Sequence, residues 1–278
     1  MNIGIVGLGL IGGSLGLDLR QLGHTVWGVA RRQATCEVAI ACGAVDQATT
    51  DLARLQATDI VFICTPIGAI ESTAIALIPH LRPHTILTDV GSVKGAIVEA
   101  MTPHWPYFIG GHPMAGKTEV GIAVAEHHLF AHRAYVITPT AETSPEAVTV
   151  LTDLATALKA EVFTCSPAVH DRAVAWISHL PVMVSGSLLQ ACLHESDPQV
   201  RKLAQKFASS GFRDTSRVGG GPPELGLMMA RYNREEVMRS LKAYQRELDQ
   251  LTTLIEAEQW EAVDAVLSKN HQVRPDYL

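Results

Sequence analysis

The first 22 residues constrain the fold more than any other stretch of the chain. Asn2 to Val6 is a short apolar run, a G-x-G-x-x-G segment follows it directly, and residues 13–22 have the pattern of a helix. Strand, glycine turn and helix in this order are typical of a βαβ unit that binds a dinucleotide. The predicted phosphate-binding turn consists of Gly7, Leu8, Gly9, Leu10, Ile11 and Gly12.

The second predicted strand, Thr25 to Val29, ends in Ala30, Arg31 and Arg32. Sites for NAD usually place an acidic residue here to bind the ribose hydroxyls, whereas arginines suit the 2′-phosphate of NADP. The sequence therefore favours NADP over NAD. A pair of arginines on a solvated loop is the alternative.

Two further strands are predicted to bring their carboxyl ends to the same edge of a parallel sheet. The apolar run from Asp59 ends in Cys64, Thr65 and Pro66, which we expect to border the cofactor. The run 85–90 leads to Ser92 and Lys94. A serine there could reach both a histidine and a substrate oxygen, although a helix N-cap is an equal alternative. Lys94 could be a general base, but we expect a solvated side chain in the first turn of a helix.

The segment Phe108 to Gly116 contains three glycines, a proline and one histidine, His112. It is predicted to be a loop that leaves space around the imidazole, so that His112 can act as a catalytic base. A tight turn without catalytic function is the alternative. Farther on, His128 and His132 have a spacing that could hold a metal, but the glutamate of H-E-x-x-H is missing, so we assign no metal and expect a solvated helix face.

Composition limits the protein class. Hydrophobic residues make up 47% of the chain and the net charge is −6, so no strong positive field would attract nucleic acid or an anionic membrane. The five cysteines form no C-x-x-C pair and are expected to be reduced. No signal peptide or bilayer-spanning apolar run is evident, which predicts a cytoplasmic protein.

The pattern changes after Cys165. Helical periodicity dominates roughly 167–194, 197–210, 233–255 and 259–269. The predicted fold class is therefore α/β, with a Rossmann-type dinucleotide-binding domain (1–165) followed by an all-helical domain (166–278). The substrate should bind in the cleft between them. Since the helices carry more apolar surface than a thin domain can bury, we expect them to form a homodimer.

Two polar features stand out in the helical part. His179 precedes a helix-disturbing proline, Pro181, on an apolar helix, and could be either a core histidine or a substrate contact. Arg213 and Arg217 lie close together before a run of glycines and could bind carboxylates in a bidentate manner. A surface ion pair with Asp214 is the alternative.

Together these stretches resemble the prephenate/arogenate dehydrogenase family. The matching segments begin at Gly7 (G-L-G-L-I-G-G-S), Asp89 (D-V-G-S-V-K), Gly110 (G-G-H-P-M-A-G), His170 (H-D), Ser178 (S-H-L-P) and Gly211 (G-F-R-D-T-S-R). The resemblance implies that His112 is the catalytic base, Ser92 supports it and Arg217 binds a substrate carboxylate. Gly111, His179 and Arg213 are implied as neighbours in the substrate pocket.

The resemblance further implies oxidative decarboxylation of L-arogenate to L-tyrosine with hydride transfer to NADP+, because the arginine pair fits the NADP-using branch of cyanobacteria and plants. Prephenate is the alternative substrate, and an NADPH-sensing protein without turnover is a more distant alternative. The lysine motif of the β-hydroxyacid dehydrogenases is absent. Many members of the resembled family have a second histidine where this chain has Val182, and the chain ends at Leu278 without a regulatory domain or a fused chorismate mutase.

Overall fold

Eight strands form one sheet in the computed structural model, which describes residues 1–117 and 119–277. The strands are β1 (Asn2–Val6), β2 (Thr25–Val29), β3 (Gln47–Thr49), β4 (Ile60–Ile63), β5 (Ile86–Asp89), β6 (Phe108–Pro113), β7 (Ala134–Thr138) and β8 (Glu161–Thr164). Their order is β3-β2-β1-β4-β5-β6-β7-β8. Strands β1 to β6 pair in parallel, β7 runs antiparallel to β6, and β8 is parallel to β7.

Helices cover both faces of this sheet. They are α1 (Leu10–Gln21), α2 (Gln33–Ala41), α3 (Ile67–Leu77), α4 (Gly95–Met101) and α5 (Pro145–Ala157). One buried cluster contains Ile5, Leu15 and Leu151, and a second contains Val61, Ile70 and Leu87. Because helices cover both faces, the central strands are apolar at nearly every position, as the fully buried β4 illustrates.

The order of the first six strands, 3-2-1-4-5-6, is that of a Rossmann fold. Strands β1 and β4 are neighbours, although the chain leaves β1 toward one edge of the sheet and continues from β4 toward the other. Ligands of open α/β sheets bind in the crevice outside the carboxyl ends of such a pair. That crevice is bordered by Gly7, after β1, and by Cys64, after β4.

The remaining chain is helical. Its elements are α6 (Pro167–Val174), a π-helical turn (Ala175–His179), α7 (Leu180–Leu193), α8 (Pro198–Phe207), α9 (Ser210–Ser216), α10 (Pro223–Tyr232), α11 (Arg234–Glu256) and α12 (Trp260–Val273), with short 3-10 turns at Val218–Gly220 and Arg274–Tyr277. The predicted fold class, an α/β nucleotide-binding part followed by a helical part, is confirmed.

Several large apolar side chains of the helical part are exposed, among them Phe207, Leu227 and Trp260. The segment Pro167–Leu193 is long and apolar enough, by length and composition alone, to cross a bilayer. It also contains Asp171 and Arg172, and it carries His170 and His179 to buried positions. Core helices of soluble proteins can have the same length and apolar composition, so this segment is weak evidence for a membrane span.

Two sequence-based expectations for the backbone are wrong. The predicted helices leave residues 211–232 without a helix, whereas α9 and α10 occupy most of this stretch. Pro223 occupies the first position of α10, where a missing N–H costs nothing. His128 and His132 do not share a helix face, since both have a positive φ, 62° and 59°, in an irregular segment.

Candidate active site

His112 lies on a strand rather than in a loop. Residues 108–113 form β6, and all six are buried. Gly110 and Gly111 pair with β7, and a Cβ on Gly111 would come within 2.9 Å of the Asp89 carbonyl oxygen. The prediction of a loop is therefore wrong for residues 108–113, whereas residues 114–116 are irregular. The glycines allow neighbouring strands to approach closely, and they fix the position of the backbone at His112.

His112 begins a chain of three hydrogen-bonded side chains. Its Nδ1 lies 2.8 Å from Nε2 of His170, and Nδ1 of His170 lies 2.8 Å from the Asp171 carboxylate. All three residues are buried. The two histidine rings meet edge to face, with centroids 5.0 Å apart. His112 thus projects from the sheet toward a helix of the second part of the chain.

Burial holds the pKa of His112 well below its ordinary value, and the positive charges that His170, Lys94 and His179 can carry lower that pKa further. Removing an imidazolium from water is unfavourable, so the neutral ring is the resting form. A neutral imidazole can accept a proton. The surroundings of His112 therefore fit the chemistry of a general base.

A buried ion pair supports the strand that carries His112. Lys94 donates to the Asp89 carboxylate and, at 2.8 Å, to the Gly111 carbonyl oxygen, while Asp89 also accepts the N–H of Gly91 at 2.8 Å. The expectation that Lys94 is solvated is wrong, because its side chain and that of Asp89 are 0% exposed. Burial lowers the pKa of Lys94 and raises that of Asp89, and each partner opposes the shift of the other.

Ser92 and His179 each present a buried polar atom without a hydrogen-bond partner among the described residues, Oγ and Nε2 respectively. Nδ1 of His179 accepts the amide N–H of Asn233 at 3.1 Å, and that amide is oriented by a second N–H donated to the Asp171 carbonyl at 2.8 Å. Burial lowers the pKa of His179 to about 4. Neutral His179 therefore carries its proton on Nε2, where it can serve a ligand oxygen.

A π-helical turn, Ala175–His179, places His179 in this position. Pro181 follows in the first turn of α7 and has no N–H to continue the regular bonding pattern. Short π segments of this kind often occur at functional sites. The Ser92 carbonyl lies near the His179 ring and raises its pKa without completing a hydrogen bond to Nε2.

The predicted nucleotide turn has the geometry that a pyrophosphate requires. Gly7 has φ +102°, and a Cβ there would lie 2.6 Å from the Cys64 carbonyl oxygen, whereas the space around Gly9 is open. A Cβ on Gly12 would overlap the Gly7 carbonyl. The first turn of α1 has neither an acidic residue nor a side-chain cap, so its N–H groups are free for phosphate oxygens. These features fit a bound dinucleotide.

The other residues predicted at the nucleotide turn line this crevice or support it. Leu8 and Leu10 are buried and Ile11 is half-buried, so these three side chains pack beneath the turn. Across the crevice, Thr65 has a buried Oγ1 without a partner among the described residues, and Pro66 is exposed at the start of α3. Burial raises the pKa of the Cys64 thiol, which keeps it protonated.

Ala30 directly follows β2 and is buried, and Arg31 and Arg32 follow it exposed. Neither guanidinium group has a hydrogen-bond or ion-pair partner within residues 1–117 and 119–277. Arg32 is the residue before α2. Both guanidinium groups are thus available at the end of the strand where the adenosine ribose of a dinucleotide would lie.

The two arginines predicted to bind carboxylates, Arg213 and Arg217, have no described hydrogen bond or ion pair to the residues around His112. Arg213 lies 3.4 Å from Asp214 with its side chain 75% exposed, and Arg217 is exposed at the end of α9. Gly219, just beyond, donates its N–H to Ser185 of α7 at 2.8 Å, which anchors this segment to the helix that begins after His179. Within the described chain, no group of three His, Cys, Asp or Glu side chains is placed to hold a metal ion.

Sequence reasoning missed the roles of three residues at this site, although it quoted the His170-Asp171 pair as a motif. These residues are His170, which is hydrogen-bonded to His112, Asp171, and Asn233, which is hydrogen-bonded to both Asp171 and His179. The hydrogen-bonded partners are 54 to 62 residues apart in the sequence. A histidine directly followed by an aspartate, in a helix with an apolar face, was the available signal. No local pattern marked Asn233.

Two family models match the chain in succession. Residues 15–164 match the nucleotide-binding domain of prephenate dehydrogenase, and residues 166–269 match its dimerization domain. Among curated proteins, a prephenate dehydrogenase of Bacillus subtilis is 31% identical over 264 residues, covering 91% of this chain and 70% of that protein.

Solved structures show the same similarity over the full length. The arogenate dehydrogenase of Synechocystis is 53% identical, covers 100% of both chains and superimposes with a TM-score of 0.92. The prephenate dehydrogenase of A. aeolicus, solved with hydroxyphenyl propionate and NAD+, is 28% identical, covers 99% of this chain and 98% of that one, and has a TM-score of 0.94.

Proposed function

This chain belongs to the prephenate dehydrogenase family and is a nucleotide-binding dehydrogenase, and on that premise we propose that it oxidatively decarboxylates L-arogenate to L-tyrosine with NADP+. One observation carries the proposal. A neutral, buried His112 stands near the carboxyl end of β6, and two buried polar atoms, Oγ of Ser92 after β5 and Nε2 of His179 at the end of the π-helical turn, have no hydrogen-bond partner among the described residues. Buried polar atoms without partners are rare in folded proteins, and a ligand or an ordered water can complete their hydrogen bonding.

The acid–base chemistry falls to His112. Its Nδ1 is engaged by His170, so Nε2 is the nitrogen available to a substrate. As the C4–H bond breaks and hydride leaves, Nε2 takes the proton of the C4 hydroxyl, and C4 becomes a carbonyl carbon. NADP+ bound in the crevice would supply the hydride acceptor.

Decarboxylation then restores the aromatic ring. The electron pair of the bond to the ring carboxylate moves into the ring, CO2 departs, and the carbonyl oxygen regains a proton from protonated His112. Aromatisation makes this step effectively irreversible. We assign to Ser92, whose buried Oγ has no hydrogen-bond partner among the described residues, the donation of its hydroxyl proton to the same oxygen.

The substrate carries two carboxylates near neutral pH, and we assign one of them to Arg217, with Arg213, His179 and the Gly111 backbone as neighbours. The Nε2–H of His179 is an unpaired donor that a carboxylate or hydroxyl oxygen could accept. Arg217 must orient the substrate without over-stabilising the carboxylate that leaves, which argues for a role in binding rather than in the chemical step.

NADP+ rather than NAD+ is proposed from the end of β2. Arg31 and Arg32 are exposed and unpaired where an acidic residue would be needed for the ribose hydroxyls, and a 2′-phosphate would neutralise them. The similarity to the Synechocystis arogenate dehydrogenase supports the arogenate assignment. Prephenate is the second candidate, because the curated relative from Bacillus subtilis is a prephenate dehydrogenase.

We further propose that residues 1–165 form the nucleotide-binding domain and residues 166–278 the substrate and dimerisation domain of a cytoplasmic homodimer. The exposed apolar side chains of the helical part support a subunit interface there. The description of the family model that matches residues 166–269 supports the same arrangement.

Steady-state rates with both substrates and both cofactors test the proposal. The purified protein is assayed with arogenate or prephenate and with NADP+ or NAD+, following the absorbance of the reduced nicotinamide. The highest kcat/KM is expected for arogenate with NADP+. A higher kcat/KM for prephenate would overturn the substrate assignment, and a preference for NAD+ would overturn the cofactor assignment. Absence of turnover in all four combinations would overturn the catalytic function.

A further inference from the structure

The carboxylate of Asp171 is buried and is held by three hydrogen-bond donors. Its two oxygens accept the backbone N–H groups of Lys94 and Gly95, at 2.7 and 2.8 Å, and Oδ1 also lies 2.8 Å from Nδ1 of His170. Lys94 and Gly95 follow β5 of the sheet, whereas Asp171 belongs to α6. The carboxylate therefore fixes His170 relative to the sheet that carries His112.

These contacts determine which nitrogen of each histidine carries a proton. The Asp171 carboxylate accepts from two backbone donors, and Nδ1 of His170 is its third donor; with its single ring proton on Nδ1, His170 presents a lone pair on Nε2. That lone pair faces Nδ1 of His112 at 2.8 Å. Two lone pairs cannot share a hydrogen bond, so Nδ1 of neutral His112 carries the proton and its Nε2 is free to accept one.

We propose that His170 is a positioning residue that locks His112 in the Nδ1–H tautomer, with Asp171 orienting His170 and facing the positive charge that develops on His112 during the reaction. This inference rests on the proposed function for the identity of the reaction. The tautomer of His112, however, is a property of the protein alone and can be measured without substrate.

Among the charged groups that face His112, Asp171 is the one available to stabilise a positive charge on the His112 ring. Lys94 and His179 approach it from other elements, and any positive charge on them opposes a proton on His112. Asp89, the other buried carboxylate nearby, is already paired with Lys94. Through His170, the Asp171 carboxylate is therefore the negative group in hydrogen-bond connection with the base.

The test is ¹⁵N NMR of the histidine rings in the full-length protein without ligands. The His112 signals are assigned by their loss in His112→Gln. In the wild type, Nδ1 of His112 should show the shift of a protonated nitrogen and Nε2 that of an unprotonated one. In His170→Phe, which keeps the ring volume but has no acceptor, the His112 proton should move to Nε2 in a large fraction of molecules.

A second variant separates hydrogen bonding from packing. His170→Gln can offer its side-chain oxygen to Nδ1 of His112, and should restore the wild-type tautomer that His170→Phe loses. The turnover number should follow the same order, with kcat about 10-fold or more lower in His170→Phe and KM little changed, since a positioned base supplies about 10²–10⁴-fold in all. The control is His127→Gln, which removes the His127–Asp18 pair elsewhere in the molecule.

Protonated Nε2 on His112 in the wild type would overturn the proposal, as would an unchanged tautomer in a folded His170→Phe protein. If His170→Phe fails to fold, the wild-type spectrum and His170→Gln still decide the question. Inactivity of the wild type toward arogenate and prephenate would refute the proposed function. It would not affect the test of the His112 tautomer, which is measured without substrate.

Discussion

Lys94 and Asp89 form a fully buried ion pair directly beneath the strand that carries His112, and Lys94 also binds the carbonyl of Gly111. Breaking such a pair leaves one buried charge without compensation, which typically costs about 3–5 kcal/mol. We therefore expect Lys94→Met to lower the free energy of unfolding by that amount in urea titrations. The exposed pair of Arg82 and Asp59 is the matched control, and Arg82→Met should cost less than about 1 kcal/mol. An equally small loss for Lys94→Met would contradict the role of the buried pair.

Replacing the base should affect turnover rather than binding of the cofactor. His112→Asn removes the free Nε2 lone pair and should lower kcat about 10²–10⁴-fold. The Kd for NADP+, measured by fluorescence titration, should stay near the wild-type value, because the nucleotide turn follows β1 rather than β6. Near-normal turnover would end the assignment of His112 as the base.

Removing the proposed carboxylate receptor should separate KM from kcat. Arg217→Ala is expected to raise KM for the preferred substrate, since a hydrogen-bonded charge contributes about 1.5–3 kcal/mol, and to change kcat much less. The comparison is Arg201→Ala, at a half-buried arginine of α8 that donates to the Leu193 carbonyl. If both variants leave KM unchanged, Arg217 does not bind the substrate.

The arginine pair after β2 should discriminate between the two cofactors. Arg31→Ala combined with Arg32→Ala should raise Kd for NADP+ by about 10-fold or more while changing Kd for NAD+ little, because only NADP+ carries the 2′-phosphate. Arg54→Ala is the control; Arg54 borders a depression with Asn2, at the opposite end of β1 from the nucleotide turn. Equal losses for both cofactors would refute the assignment.

Stability should fall in mild acid because of the buried histidines. The pKa of His179 is about 4 in the folded protein, against 6.5 for an unperturbed histidine, and that of His112 is also lowered. Between these pH values the unfolded chain binds more protons, so the free energy of unfolding decreases as pH falls from about 6.5 to about 4. For His179 the loss is on the order of 3 kcal/mol, taking about 1.4 kcal/mol per pKa unit.

Urea titrations at pH 7 and pH 4.5 measure this loss. His179→Gln cannot titrate in that range and should lose less stability between the two pH values than the wild type. A variant that loses as much would show that His179 is not responsible.

Much of the architecture follows from local sequence. The turn at Gly7 to Gly12 lies between an apolar strand and a helix, and the fold around it is the one predicted. The change from a sheet to helices after β8 also follows from the sequence, since it depends on hydrophobic periodicity.

The failures have a common physical basis. Gly110 and Gly111 were interpreted as loop residues, although they serve close contacts with β5 and β7 that no local pattern encodes. Lys94 was expected in solvent because lysine usually lies there. Its buried partner Asp89 is only five residues away, but the enclosure of both side chains is produced by the surrounding sheet and helices.

The sequence by itself determined the nucleotide-binding fold, the helical second part and the candidate base. Each follows from a short motif or from the hydrophobic periodicity of neighbouring residues. The tertiary structure decided the state of that base. Asp171, His170 and His112 come into contact only when a helix 58 residues farther along the chain docks on the sheet. Burial and hydrogen-bond partners set protonation and tautomer, and both depend on groups that are distant in the sequence.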